Sequence, residues 1–253
     1  MRLTFWLDNL NDMGEPRKYL WDDRSPSFLQ IGDVAEHIAR LHSGVKVDAV
    51  THERWRQLMA LLRDFDTWVD DANIPIDRAM QRLVDFTDLD GVYPALAPDA
   101  MDGNTREALL RRTRRTLLLG RMVSQAETPY RLVRLRVNEG RQTARLLADS
   151  ATSDVRSQPR FTESFLPTME SLSTVACTLD SMTDARRDYQ QGKIQIQPGA
   201  EYYRQLGGVT FAHAKLGARA LMHGPIAKDF AIISAMRLRN RVGKHGLTDD
   251  AAH

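Results

Sequence analysis

The chain has 253 residues, 42% hydrophobic and 27% charged, and its 35 Lys and Arg against 33 Asp and Glu give a formal charge of +2, which excludes the strongly basic surface of a nucleic-acid-binding protein. A single cysteine, Cys177, excludes an intrachain disulfide framework and a cysteine-cluster metal site. No apolar run approaches the ~20 residues that span a bilayer, and no basic segment followed by a signal-type hydrophobic stretch opens the chain, so a cytoplasmic protein without a transmembrane segment is expected, with peripheral membrane contact left open.

Nearly every segment between punctuation points carries apolar residues at three- and four-residue spacing, and strand alternation is hard to find, so the chain reads as all-α. Residues 1–27 and 244–253 read as loose ends of one helical domain, 28–243. A first helix is expected over 28–42, stopped by Ser43-Gly44. A second runs from about Thr51 past Asp70, with Trp55, Leu58, Leu62, Phe65 and Val69 on one stripe. Pro75 then kinks or breaks the chain between Ala72 and Ile76, because proline removes a helix hydrogen bond and crowds the preceding turn.

The stretch 90–103, with Gly91, Pro94, Pro98 and Gly103, reads as a loop. Asn104 followed by Glu107 resembles a capping box opening a helix through about Val123, and Thr128-Pro129 looks like the cap and first position of the next, which lasts to about Ala148. Another helix begins near Phe161, turns Phe165, Met169, Leu172, Val175, Leu179 and Met182 to the core and ends around Gly192. Helices over 200–222 and 226–242 complete the expected bundle.

Two of these helices carry acidic residues in a pattern that a solvated surface does not require. Asp66 and Asp70 are four apart and share a helix face with Arg63. Asp180, Asp184 and Asp188 fall at successive steps of four, a stripe about two turns long. Like charges so placed repel by a few tenths of a kcal/mol per pair, and a cation should compensate. Mg²⁺ suits the role: it takes oxygen ligands and commonly bridges one or two carboxylates to a substrate phosphate.

Basic residues supply further candidates. The 29 Arg against 6 Lys would suit phosphate recognition, but a GC-rich genome is the favoured reading of this balance. Arg141 and Arg145, one turn apart after Gly140, are candidates for binding a diphosphate, whereas the run Arg111-Arg-Thr-Arg-Arg115 reads as a solvated helix face. His213 and His223 lack a carboxylate at zinc spacing, and Cys177 reads as a small buried thiol.

The setting of the acidic pairs resembles the squalene/phytoene synthase family, a branch of the class I isoprenoid synthases. Arg63, Asp66 and Asp70 match the layout of that family's first motif. Asp180, Asp184, Asp188, Lys193 and the extended Ile194-Gln-Ile-Gln-Pro198 match its second, with Asp180 where the family often has Asn. Asn138-Glu-Gly140-Arg-Gln-Thr-Ala144 resembles the small-residue stretch of its cavity-lining helix.

This resemblance implies a single-domain antiparallel helical bundle with a central apolar cavity. It implies a prenyl diphosphate substrate held through Mg²⁺ by Asp66, Asp70, Asp180, Asp184 and Asp188, with Arg63 and Lys193 on phosphate oxygens. Prenyl transfer or cyclisation through ionisation of an allylic diphosphate is the implied activity. Phe5-Trp-Leu-Asp8-Asn9-Leu-Asn-Asp12 is a competing first motif, similar to the Asp-Asp-x-x-Asp box of terpene cyclases. A noncatalytic helical lipid- or partner-binding protein and a metal-dependent hydrolase of another phosphorylated metabolite are the alternative readings.

Overall fold

The computed structural model describes residues 26–66, 75–85, 93–229 and 231, and among them every regular element is helical. Helix α1 (Pro26–His37) runs into a π-helical turn (Ile38–His42) that ends where expected, at Ser43-Gly44. Gly44 has φ +68°, a left-handed conformation that glycine adopts without steric cost. Helix α2 (Ala49–Asp66) opens two residues earlier than the periodicity implies, because Asp48 Oδ1 accepts the Thr51 backbone N–H at 2.6 Å. Helix α3 (Ile76–Asp85) begins directly after Pro75, and a 3₁₀ turn (Pro94–Leu96) occupies part of the expected loop.

Helix α4 (Gly103–Ser124) is capped by Asp102, whose side chain accepts the Thr105 N–H. Asn104, the cap expected from sequence, already lies inside the first turn. Arg106 fixes that start by donating to the carbonyls of Leu83 and Leu96, both at 2.7 Å. Helix α5 (Pro129–Ser150) has the expected Thr128 cap and proline in its first turn. A short α6 (Ser153–Arg156), a π-helical turn (Phe161–Phe165), α7 (Leu166–Gln190) and α8 (Ala200–Leu221) follow, and residues 224–229 are again helical.

Cross-helix contacts set the topology. Arg112 reaches Gln142 and Asp149 while Gly120 faces Glu139, so α4 and α5 run antiparallel. The pairs Arg136–Ser181, Gly140–Thr174 and Arg145–Glu170 make α5 and α7 antiparallel, and Tyr202–Ser181, Thr210–Thr178 and Gly217–Leu172 do the same for α7 and α8. These four helices form a continuous up-and-down array, α4-α5-α7-α8. Helices α1 and α2 pack chiefly on each other, brought close by Gly32 against the backbone of Arg56, and Trp55 Nε1 anchors α2 to the array by donating to Leu147 O at 2.7 Å.

Buried apolar side chains fall into two clusters. The larger joins α1, α2, α3 and the adjoining ends of α4, α5, α7 and α8, and it contains the stacked pair Trp55 and Phe165, with ring centroids 5.2 Å apart. Full burial of aromatic and branched side chains such as Trp55, Leu58 and Phe65 contributes about 1.5–3 kcal/mol each. The smaller cluster holds the far end: Leu119 and Val123 of α4, Leu132, Val133 and Leu135 of α5, Ala185 of α7, Tyr202 and Leu206 of α8, and the Ile194 and Ile196 exit.

Between the clusters α7 buries a polar face, Thr174, Thr178 and Ser181. Thr174 and Thr178 return their hydroxyls to the helix carbonyls four residues back, at 2.7 and 2.9 Å, which removes much of the cost of burying them. Leu179, expected in the core, is exposed because the buried face of α7 continues through Thr178, Ser181 and Ala185 instead.

Candidate functional site

The last three turns of α7 hold the acidic stripe. Arg187, on the same helix, brings Nη2 to 2.8 Å from Asp184 Oδ2 and 3.3 Å from Asp188 Oδ1. The two carboxylates are only 14% and 20% exposed, whereas Arg187 is 48% exposed. Both carboxylates therefore converge on one cationic head from a half-buried position. Burial lowers the Arg187 pKa, but Asp184 and Asp188 outweigh it and raise the value overall.

Toward the core the stripe meets Arg136 of α5. Its Nε donates to Ser181 Oγ at 2.6 Å and its Nη1 to Glu139 Oε2 at 2.7 Å, with both charged side chains less than one-fifth exposed. Burial disfavours the charged guanidinium, yet Glu139, Cys177 and Asp180 raise its pKa. Tyr202 of α8 closes the cluster by donating its hydroxyl to Ser181 O at 2.9 Å. Burial is the largest cause that pushes this phenol up to about 12; Tyr203, Asp188 and Asp180 add to it and Arg136 opposes it. Arg136, Asp180, Asp188 and Tyr202 thus share one electrostatic environment around Ser181.

The exit from α7 is built as the sequence implies. Gly192 turns the chain with φ +69°, and the Lys193 N–H donates to Asp188 O at 2.8 Å. Ile194 and Ile196 are buried while Lys193, Gln195 and Gln197 are exposed, an alternation that pins the strand-like exit to the smaller core. The Lys193 side chain stands in solvent one turn beyond the stripe.

The remaining candidates sit elsewhere. Arg145 pairs with Glu170 at 2.9 Å, and Glu170 lies ten residues before Asp180, about 15 Å along the helix. Arg141 is exposed, and its charge helps to lower the pKa of His213, though burial is the larger cause. Arg63 is half-buried near Asp64 and Tyr93, whose pKa values burial raises; the Arg63 charge offsets only part of that rise. Asp66 is the last described residue of α2; its side chain, Asp70 and the competing Asp8 and Asp12 lie outside the described residues. Cys177 is a half-buried thiol outside any disulfide.

Gly140 gives the small-residue stretch of α5 a structural use, since it lets α5 approach the backbone of α7 at Thr174. Sequence reasoning missed Arg136 and Tyr202. The available signal for Arg136 was its three-residue spacing to Glu139, which places opposite charges on one helix face.

Among the described residues no group of three or more His, Cys, Asp or Glu side chains is gathered tightly enough to hold a metal ion. The donor chemistry of the stripe nevertheless fits a hard divalent cation, being made of carboxylate oxygens that already converge on a positive charge. No helix among the described residues is long and apolar enough to cross a membrane. Comparison with family models, with curated proteins and with solved structures finds no significant match.

Proposed function

We propose that the chain is a Mg²⁺-dependent enzyme acting on a prenyl diphosphate, built as one antiparallel helical bundle around an apolar cavity. The observation that carries this reading is the half-burial of Asp184 and Asp188 with both carboxylates drawn to one cation. A solvated acidic face would leave these side chains open to water.

In this reading Asp180, Asp184 and Asp188, together with Asp66 and Asp70, hold the cation, and Arg63 and Lys193 contact phosphate oxygens, while Arg145, paired with Glu170, and Arg141 stand away from the stripe. Mg²⁺, when bound, would supply charge withdrawal from the leaving diphosphate. Arg187, already seated on Asp184 and Asp188, is displaced toward the phosphates, where a guanidinium can make bidentate contacts. The allylic carbon–oxygen bond breaks with its electron pair leaving on the diphosphate. Apolar walls then exclude water from the carbocation until coupling, cyclisation or proton loss.

The test is incubation of the full chain with geranyl, farnesyl and geranylgeranyl diphosphate, with Mg²⁺ and with EDTA. Mg²⁺-dependent diphosphate release with a prenyl product is expected. Absence of both at every chain length, or equal release from nucleotides, overturns the proposal. A noncatalytic binding protein would instead be stabilised by an undiphosphorylated isoprenoid without metal.

A further inference from the structure

A fixed positive charge stands at the inner end of the acidic stripe. Arg136 donates from Nε to Ser181 Oγ at 2.6 Å, and Tyr202 clamps the same residue by donating to Ser181 O at 2.9 Å. Ser181 is the sequence neighbour of Asp180, whose charge acts on Arg136. The guanidinium is only 16% exposed and is held by partners on two helices, so it has no path into solvent. Arg187, at the outer end, is half in solvent and can leave its carboxylates. The stripe is therefore asymmetric: Asp184 and Asp188 share a removable arginine, whereas Asp180 lies beside a permanent one.

Glu139 answers that permanent charge. It follows Arg136 by three residues on one face of α5, and its Oε2 accepts Arg136 Nη1 at 2.7 Å. Gly120 of α4 leaves room beside the other oxygen, since a Cβ there would stand 3.8 Å from Oε1. A buried guanidinium demands a counter-charge. With Glu139 in place the pair is close to neutral; without it, Asp180 is the other carboxylate acting on Arg136.

We propose that Glu139 is a positioning residue for the acidic stripe, neutralising Arg136 so that Asp180 stays available to a divalent cation. This rests on the reading of the stripe as a cation site. The signs of the variants follow from Coulomb's law. Loss of the Glu139 charge leaves Arg136 to repel a divalent ion and to draw Asp180 into an ion pair. Loss of the Arg136 charge does the reverse, and loss of both restores the balance.

Binding of Mn²⁺ alone to the full chain, read from the free-ion EPR signal, tests this, because Mn²⁺ suits the same carboxylate oxygens as Mg²⁺. Glu139→Gln should weaken binding by about 10-fold, and Arg136→Met should tighten it by about threefold. The double variant Arg136→Met with Glu139→Leu should bind within about threefold of the parent. An ion pair that only supports the fold would shift both single variants in the same direction or neither. Melting temperature is read in parallel, and should one single variant not fold, the other and the double variant decide by the same signs. Parent-like binding in Glu139→Gln, or weaker binding in Arg136→Met, overturns the role of Glu139 where Asp184→Ala abolishes binding. No Mn²⁺ binding by the parent, or binding that Asp184→Ala leaves unchanged, overturns the cation reading and this inference with it.

Discussion

Gly140 and Thr174 bring α5 and α7 into backbone contact: a Cβ at Gly140 would lie 2.6 Å from both the Thr174 nitrogen and its Cα. The neighbour is backbone, so no rotamer change relieves the clash. Gly140→Ala should destabilise the fold by about 1–3 kcal/mol, despite alanine's better helix propensity. Gly120, on α4, is the control. Its Cβ would meet only Glu139 Oε1 at 3.8 Å, so Gly120→Ala should stabilise by about 0.5–1 kcal/mol. Urea denaturation of both variants distinguishes a close-packed crossing from ordinary helix propensity.

The acidic stripe should separate activity from stability. Asp184 and Asp188 share Arg187, so removing either leaves the other as its partner, and Arg187 is itself nearly half exposed. Asp184→Ala and Asp188→Ala should change stability by no more than about 1 kcal/mol, while Mg²⁺-dependent diphosphate release falls by orders of magnitude. Asp180→Asn should retain much more activity than Asp180→Ala. Turnover near the parent level in Asp184→Ala would remove the site.

Arg136 should behave in the opposite way. Its partner Glu139 is equally buried, and truncating one member of such a pair leaves an uncompensated charge. Arg136→Ala is expected to cost about 3–5 kcal/mol. The double variant Arg136→Met with Glu139→Leu should recover most of that loss, because it removes both charges. A double-mutant cycle by chemical denaturation provides the measurement, and simple additivity of the two losses would show that the pair is not coupled.

Acid should weaken the contact between the end of the first helix and the segment after α8. His42 packs edge-on against His223, with ring centroids 5.6 Å apart. Burial, then the charges of His223 and Arg219, hold its pKa below the ordinary 6.5. A depressed folded-state pKa means that His42 contributes stability above pH 6.5, and that this is lost as pH falls through the folded value. His213 has the same sign, lowered by burial and by Arg141 against Glu170. The drop in urea midpoint between about pH 7.5 and pH 5 should shrink in His42→Gln; an unchanged drop assigns the acid sensitivity to other groups.

The helices were legible wherever local chemistry decides them. Thr128-Pro129, Ser43-Gly44 and Gly192 each mark an end that the structure places at the same point. At α4 the pattern pointed to Asn104, whereas the cap is Asp102, and Arg106, thereby placed in the first turn, reaches the Leu83 and Leu96 carbonyls. Along α7 the apolar pattern pointed to Leu179, whereas the fold buries Thr178 and Ser181. Hydrophobicity alone cannot anticipate this, since burial depends on hydroxyls satisfied within the helix and on a guanidinium arriving from α5. For the acidic stripe, the step of four was readable, but its half-burial and its shared arginine come from packing.

The division of the interior into two apolar clusters has a consequence for how the protein opens. The cluster beneath the acidic stripe is the smaller, and the boundary between the two runs through hydroxyls and a buried ion pair, groups that water can solvate once the helices part. Amide protons of α8 near Tyr202 and Leu206, and of the Ile194–Ile196 exit, should therefore exchange through a sub-global opening at lower free energy than those around Trp55 and Leu147. A cation seated on the acidic stripe would slow exchange at this end first, so that the end holding Tyr202 and Ile194 tightens as it is filled while the Trp55 end keeps its native protection throughout.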